Sequence, residues 1–418
     1  MNEQFKKKLK TTFVFILILL ISNLGGLFIY WLVRPNGSEL HQALQYEDQM
    51  IIKDGRHNFL TDQIFWNGSY WFIYMNSKAH VGSTESKLVL MKSTDMQSWT
   101  YVKNFSGSGW DIRDPKFGII HGKLFIYCLL NKGTMAAPRK TSYFFTEDGL
   151  NFSEVKDIDS ADGWLFWHPR TVDNITWYVS TYWWEHGKTA IFNSTDGINW
   201  SKVVEIPAGK GNDESSIIFM PDGRMLLTIR EEYYPDNGIG HYKAGTILGV
   251  ANFPYTEWNL THIPETRFDG PHMFMVNNRI FCIARYQPEM DLLLTQNGGI
   301  FSTKRTSIYE LKEDRIIRIT DLPSAGDTSY GSVSIYNEDI YIIYYTSPIS
   351  KEYPWFIAMF QETEIRMVKI SLVNFMQMAD TPIGFTINPP IGAYLIIAIV
   401  SISITSLFVF LAKKRQLI

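Results

Sequence analysis

The chain has 418 residues, of which 45% are hydrophobic and 15% aromatic, with a formal net charge of −3. That much apolar side chain suffices for a large packed core, and its wealth of Tyr, Trp, Phe, Ile and Val favours strands over helices. Between residues 34 and 388 lie 32 basic and 41 acidic residues, a net of −9, which argues against nucleic acid as a partner.

The first predicted element is a helix. Residues 12–33 carry no charge, and 22 such residues match the hydrocarbon thickness of a bilayer. Lys6, Lys7, Lys8 and Lys10 precede them, so the positive-inside rule places the tail, residues 1–11, in the cytoplasm. A cleaved signal peptide competes with a membrane anchor. The apolar run exceeds the usual 7–15 residues of a signal and no small-residue cleavage site follows it, which favours the anchor.

Six short segments then recur, each a turn residue followed by an apolar run of strand formers. They begin at Gly68, Gly122, Asn174, Gly223, Asn278 and Glu338, in steps of 54, 52, 49, 55 and 60 residues. A repeat of this order carrying several short strands predicts a β-propeller blade, because one blade cannot bury both its faces alone. Six copies predict an all-β, six-bladed propeller over residues 34–388. Each segment is the second strand of its blade, and the first strand lies upstream across a tight turn such as Pro221-Asp222-Gly223 or Val276-Asn277-Asn278.

Three further segments, S-T-D-M-Q-S-W (93–99), T-E-D-G-L-N-F (146–152) and S-T-D-G-I-N-W (194–200), predict turns near the blade edges, with P-Y-T-E-W (254–258) as a degenerate relative. In such a turn the Asp accepts backbone N–H groups, the Gly permits a positive φ, and the aromatic residue covers the edge. Alternating strand direction puts these turns on the face opposite the starts of the first strands. Chemistry is expected at the latter. Cys128 and Cys282 fall in opposite blades, too far apart to bridge, and are expected as buried free thiols. No clustered Cys/His spacing points to a metal, and no cofactor is expected.

A second uncharged run, residues 391–412, precedes Lys413, Lys414 and Arg415 in the tail 413–418. Two transmembrane helices flanking the propeller are therefore expected, with the propeller outside the cell membrane and both termini in the cytoplasm. Eight Asn-x-Ser/Thr sequons, at Asn36, Asn67, Asn104, Asn151, Asn174, Asn193, Asn199 and Asn259, suit an extracytoplasmic surface.

Candidate site residues follow from the repeat. With the turn residue as zero, Arg230 and Arg285 both stand at plus seven, and Glu214 and Asp269 both at minus nine. A hairpin makes each acid the approximate cross-strand partner of its arginine. These are either structural ion pairs or charges converging on the channel mouth, where burial demands pairing or function. A carboxylate-bearing ligand would satisfy the arginines, each charge-assisted hydrogen bond contributing roughly 1.5–3 kcal/mol. Other first-strand starts supply Arg56, His57 and Asp62 in blade one, Arg113 and Asp114 in blade two, His168 and Arg170 in blade three, His272 in blade five and Tyr330 in blade six. Singly, each reads as a packing or turn residue. As a ring they suit a carbohydrate.

The segment N-D-E-S-S-I-I-F-M-P-D-G-R-M-L-L-T-I-R (212–230) resembles the part of the sialidase superfamily that carries its catalytic glutamate and second arginine. The S-T-D-G-x-N-W turn resembles that superfamily's Asp box, and D-T-S-Y-G-S-V-S-I-Y (327–336) is similar to the last-blade segment that supplies its tyrosine. R-H-N-F-L-T-D, R-D-P-K-F and D-G-P-H-M-F are similar to segments of poorly characterised prokaryotic exo-α-sialidase-like proteins. The resemblance spans residues 50–375. It implies Tyr330 as nucleophile, Glu214 as the base that activates it, and Arg230 as one of the arginines that grip a sugar carboxylate; Arg285 joins by repeat position. A tyrosine with a pKa of about 10 stays neutral until a base acts, which avoids repulsion from the substrate's carboxylate. The superfamily's F/Y-R-I-P motif is absent, Arg56-His57-Asn58-Phe59 standing in its place, so the first arginine is open. The proton donor is open among Asp62, His80, Glu85 and Asp114.

Three functions are weighed. One is a membrane-anchored, retaining, sialidase-like glycoside hydrolase acting on terminal acidic sugars of extracellular glycans. Another is an inactive propeller that binds glycans or proteins. The third is an arabinanase-like glycosidase using Asp62, Asp114 and Glu214, against which the six repeats count.

Overall fold

The computed structural model describes residues 3–33, 37–133, 135, 137–209, 211–235, 242–288, 302–385, 399–407 and 410. Its strands form six antiparallel sheets, the six blades. The predicted second strands are Ser69–Ser77, Lys123–Asn131, Trp177–Trp183, Met225–Pro235, Arg279–Tyr286 and Asp339–Thr346. All six turn residues, Gly68, Gly122, Asn174, Gly223, Asn278 and Glu338, have positive φ. In blades one, two, five and six the residue before them does too, at Asn67, His121, Asn277 and Asn337. Two successive positive φ values match the twist of a hairpin, which is why Gly and Asn recur there.

The first strands are His57–Trp66, Asp111–Ile120, Trp164–Phe166 with Arg170–Thr171, Asn212–Phe219, His272–Val276 and Thr328–Tyr336. In blade three both short pieces pair with Trp177–Trp183. Pro169, which has no N–H to give the ladder, falls in the gap between them. Apolar clusters fill the spaces between neighbouring blades: Phe125 and Tyr127 of blade two meet Phe166 and Trp200 of blade three, and Phe281 and Ile283 of blade five meet Ile342 and Tyr344 of blade six.

The outer strand of blade six comes from the other end of the chain. Glu47–Ile52 pairs antiparallel with Glu364–Ser371, so the ring is closed by sequence-distant strands. The repeat gave no sign of this, because the closing strand has no hairpin of its own.

The three predicted edge turns form as expected. The carboxylates of Asp95, Asp148 and Asp196 each accept two backbone N–H groups, at 2.8 Å. Those backbone hydrogen bonds hold Asp95 and Asp148 below the usual carboxylate range. In segment 254–258 the Trp258 indole donates to the Tyr255 carbonyl at 3.0 Å. Asp173 makes a fourth Asp turn, accepting from Ile175 and Thr176 at 2.8 Å. Cys128 and Cys282 are buried and free.

The expected pair of membrane spans, and with it the cell-membrane placement, is corrected. Among the described residues no helix is long and apolar enough to cross a membrane. Residues 12–33 lie within the helix Glu3–Val33, whose opening also carries Glu3 and the four lysines. Of residues 391–412, those outside 399–407 and 410 lie outside the described residues.

Candidate active site

The first strands of blades one, two, four and six each slip register near their starts, between Phe59 and Asp62, Arg113 and Lys116, Asn212 and Ser215, and Ser329 and Ser332. Such bulges re-aim side chains. At repeat position minus eight the backbone is left-handed in four blades: Leu60, Asp114, Gly270 and Tyr330 have φ of 53°, 50°, 64° and 48°. Three of the four are not glycine, and residues held in that region mark sites where the surroundings over-determine the backbone.

Here the structure brings together residues the sequence singled out. The Tyr330 hydroxyl donates to Glu214 Oε1 at 2.5 Å, and Arg230 Nη1 stands 3.1 Å from the same oxygen. Gly270 serves both: its N–H donates to Glu214 Oε2 at 2.6 Å, and a Cβ there would lie 2.7 Å from the Tyr330 ring. Thr61 Oγ1 holds the Tyr330 carbonyl at 2.5 Å. Burial lifts the Glu214 carboxyl to about 7 against the pull of Arg230, and Asp213, Asp269 and Asp114 add to the rise. Burial, with Glu214 and Asp114 beside it, drives the Tyr330 phenol well above its ordinary value. Asp114 is thus an electrostatic neighbour of both, and its Oδ1 is buried with no hydrogen-bond partner among the described residues.

The arginines are engaged by the chain's own acids. Arg230 clasps Asp213 with Nε and Nη2, at 2.6 and 2.5 Å, and reaches Asp269 with Nη1 at 2.6 Å. Asp269 also receives Arg267 at 2.7 Å and the Gln287 amide. Although burial alone would raise it, Arg267 and Arg230 hold its carboxyl far below the usual range. Arg285 pairs with Asp269 only at 4.0 Å and donates instead to the Thr328 carbonyl at 2.8 Å, the Tyr345 hydroxyl at 3.0 Å and Asp327 at 3.3 Å. Arg113 is bound to Asp111 at 2.8 Å and to the His80 carbonyl at 3.0 Å. Asp327 collects His57 and His80, at 3.0 and 2.6 Å.

Other candidates stand apart. Arg56 lies where its charge bears on Glu85, which itself pairs with Lys78 at 2.7 Å. Asp62, His168, Arg170 and His272 line a cavity of about 230 Å³ that also takes in Ile64, Ile119 and Ile335 from the far ends of first strands. That cavity belongs to the Asp-turn end of the channel. Asp62 Oδ2 accepts the Phe117 N–H at 2.7 Å, Arg170 donates to the Met273 carbonyl at 2.8 Å, and burial pushes the His168 imidazole down to about 4.

Sequence reasoning missed Asp213, Asp327 and Lys116. Asp213 and Asp327 precede Glu214 and Tyr330 by one and three residues, a proximity that could have flagged them. Lys116 sits with its ammonium 4.3 Å from the Trp167 ring centre and 5.5 Å from that of Tyr330. Burial lowers its pKa, opposed by Asp114, Asp62 and Glu214.

Solved structures share this architecture. A mutant of Trypanosoma rangeli sialidase displaying trans-sialidase activity superposes with a TM-score of 0.57 at 12% identity, over 82% of this chain and 61% of that one. The fold is that of the sialidase-like propellers. The phage phi92 endosialidase gives a TM-score of 0.59 at 10% identity, over 78% of this chain and 69% of that chain. The GH93 α-L-arabinofuranosidase of Fusarium graminearum, in complex with arabinobiose, gives 0.52 at 11% identity, over 79% of this chain and 98% of that chain. The chain therefore spans less than two thirds of the trypanosomal protein and nearly all of the arabinofuranosidase. No protein-family model matches the sequence, and no curated protein matches it either.

Proposed function

We propose that this sialidase-like propeller is a retaining glycoside hydrolase with Tyr330 as nucleophile, Glu214 as its base and Asp114 as the proton donor. The observation that carries the reading is the short hydrogen bond from Tyr330 to Glu214. A phenol held protonated by burial is a poor nucleophile until its proton moves, and a carboxylate in line to take it supplies that step. Tyr330 Oη bonds to the anomeric carbon as the glycosidic C–O bond breaks; its proton passes to Glu214, and Asp114 delivers a proton to the leaving oxygen. Water then attacks the same carbon, Asp114 takes back a proton, and the departing phenolate recovers its own from Glu214.

The arginines bear on the sugar. An acidic sugar would have to compete with Asp213 and Asp269 for Arg230, and with Asp327 for Arg285. That pairing favours, as a second reading, a neutral glycoside at the same residues.

The test is turnover by the purified chain on a panel of aryl sialosides, uronides and neutral glycosides including arabinofuranosides, with Tyr330→Phe and Glu214→Gln alongside. Turnover is expected on one sugar class, falling about 10²–10⁴-fold in each variant. Folded protein that turns over none of the panel would instead support a glycan-binding propeller, and full activity in Tyr330→Phe would remove the proposed nucleophile.

A further inference from the structure

The charged ring beneath the Tyr330 site has a pattern of its own. Asp62, His168 and His272 occupy the same repeat position, minus six, in blades one, three and five. Alternate blades of a six-bladed ring thus present one carboxylate and two imidazoles at one level of the channel, in threefold array about its axis. The break at Pro169 falls immediately after His168, outside either strand piece of blade three.

These three side chains are nine-tenths or more buried, with relative exposures of 1%, 6% and 8%. Yet among the described residues no well-aligned hydrogen bond reaches Asp62 Oδ1, either ring nitrogen of His168 or Nδ1 of His272; they meet only one another, as a loose cluster. Buried polar atoms left unpaired are costly, and a cluster of them that converges calls for a ligand. His168 Nε2 lies 3.2 Å from Asp62 Oδ1 and His272 Nδ1 lies 3.8 Å from it, with all three ligand atoms within 4.8 Å of one another. An ion bound at about 2.0–2.2 Å by nitrogen and oxygen needs ligand atoms about 3.3–3.6 Å apart. The two contacts to Asp62 Oδ1, at 3.2 and 3.8 Å, bracket this spacing, and the imidazole nitrogens, within 4.8 Å of each other, would draw together on binding. The remaining oxygen of Asp62 is already fixed by the Phe117 N–H at 2.7 Å, the kind of outer hydrogen bond that orients a ligating carboxylate.

Two other His/carboxylate clusters lack this character. In His57, His80 and Asp327 the carboxylate is already bound by both imidazoles, Tyr345 and Trp355. In His186, Asp213 and Glu232 the carboxylates already face Arg230, at 2.5 and 3.6 Å. Lys116 and Arg170 act on Asp62 electrostatically, but neither occupies the cluster: the Lys116 ammonium lies over Trp167 and an Arg170 Nη donates to the Met273 carbonyl.

We propose that Asp62, His168 and His272 form a binding site for a divalent transition-metal ion of the zinc and ferrous class, with its open coordination position facing the cavity at the Asp-turn end of the channel. Two imidazoles and one carboxylate suit such ions rather than calcium or magnesium, which prefer all-oxygen shells. The cavity that these three residues line supplies the entry path. This site is separate from the hydrolytic reading and stands whether or not that reading does.

The test uses the full chain stripped with a chelator and titrated with Co²⁺, then Zn²⁺, followed by visible absorption, metal analysis and thermal melting. One equivalent of Co²⁺ with d–d bands typical of imidazole ligation, displaced by Zn²⁺ and accompanied by a rise in Tm, is expected. His168→Ala and His272→Gln should each bind about 100-fold or more weakly. Absence of uptake by the wild-type chain, or uptake unchanged in both variants, overturns the site. If the alanine variant fails to fold, Asp62→Asn and the metal-induced shift of the wild-type Tm decide the same question, and a Tm that metal leaves unmoved also counts against it.

Discussion

Glu214 is where burial and chemistry oppose each other. A carboxylate losing water resists ionisation, and Arg230 recovers only part of that loss, so its pKa stands at about 7 rather than 4.5. Its ionised fraction therefore grows with pH across neutrality. If Glu214 takes the Tyr330 proton, kcat/KM should rise as pH increases through about 7, and a pH profile lacking that limb would argue against its role as base. The sign for stability is the reverse. A raised folded-state pKa favours the protonated native state, so the stability that Glu214 contributes is fully present below its unfolded value and is lost as pH climbs through about 7. Gly270 shows how tightly this geometry is set, since one residue without a side chain both donates to Glu214 and seats the Tyr330 ring.

The repeating element of this fold is a hairpin whose turn demands positive φ, and one of the six turns meets the demand with an unsuitable residue. Glu338 has a φ of 64°, where a Cβ crowds the backbone and a glycine would not. Its carbonyl accepts the Leu372 N–H at 2.8 Å, a contact that glycine retains. Glu338→Gly should stabilise the chain by about 1 kcal/mol, read as a higher urea midpoint with unchanged slope. A lower midpoint would show that the glutamate side chain contributes more than its backbone strain costs. Blade three makes the complementary point, because its first strand gives up continuity on either side of Trp167, His168 and Pro169.

Closure of the ring is a property of the whole molecule. The stretch leading into the closing strand is strapped across blade five: Ser38 donates to the Ser324 carbonyl at 2.9 Å, the Glu39 amide donates to Asp321 at 2.7 Å, and the His41 amide donates to Thr320 at 2.9 Å. Arg318, fully buried, joins this strap to the other end of the chain, donating to Glu39 at 2.7 Å, Asp321 at 2.8 Å and the Gly384 carbonyl at 3.1 Å. Removing one member of a buried ion pair leaves its partner uncompensated, so Arg318→Met should cost about 3–5 kcal/mol in urea unfolding. Adding Asp321→Asn should recover part of that loss, and a single variant as stable as wild type would show that the strap does not hold the ring together.

Much of this was written locally. The six turns, their spacing and the Asp turns depend on φ preferences and hydrogen bonds within a few residues, so composition and order sufficed to determine an all-β propeller of six blades. Position in the repeat also sufficed to set Glu214, Arg230, Asp269 and Tyr330 near one another, because equivalent strand positions face one channel. Tertiary structure decided what long-range pairing controls. Strand 47–52 closes blade six across more than three hundred residues, and no local pattern encodes such a partner. The arginines expected opposite Glu214 and Asp269, as ion pairs or as grips for a ligand, are held chiefly by Asp213 and Asp269 for Arg230 and by Asp327 for Arg285, since which acid meets which base depends on how neighbouring blades dock. The apolar run 12–33 does fall within the helix Glu3–Val33, yet among the described residues no helix is long and apolar enough to cross a membrane. The alignment of Asp62, His168 and His272 at one level needed both: the repeat sets their common position, and the closed ring makes them converge.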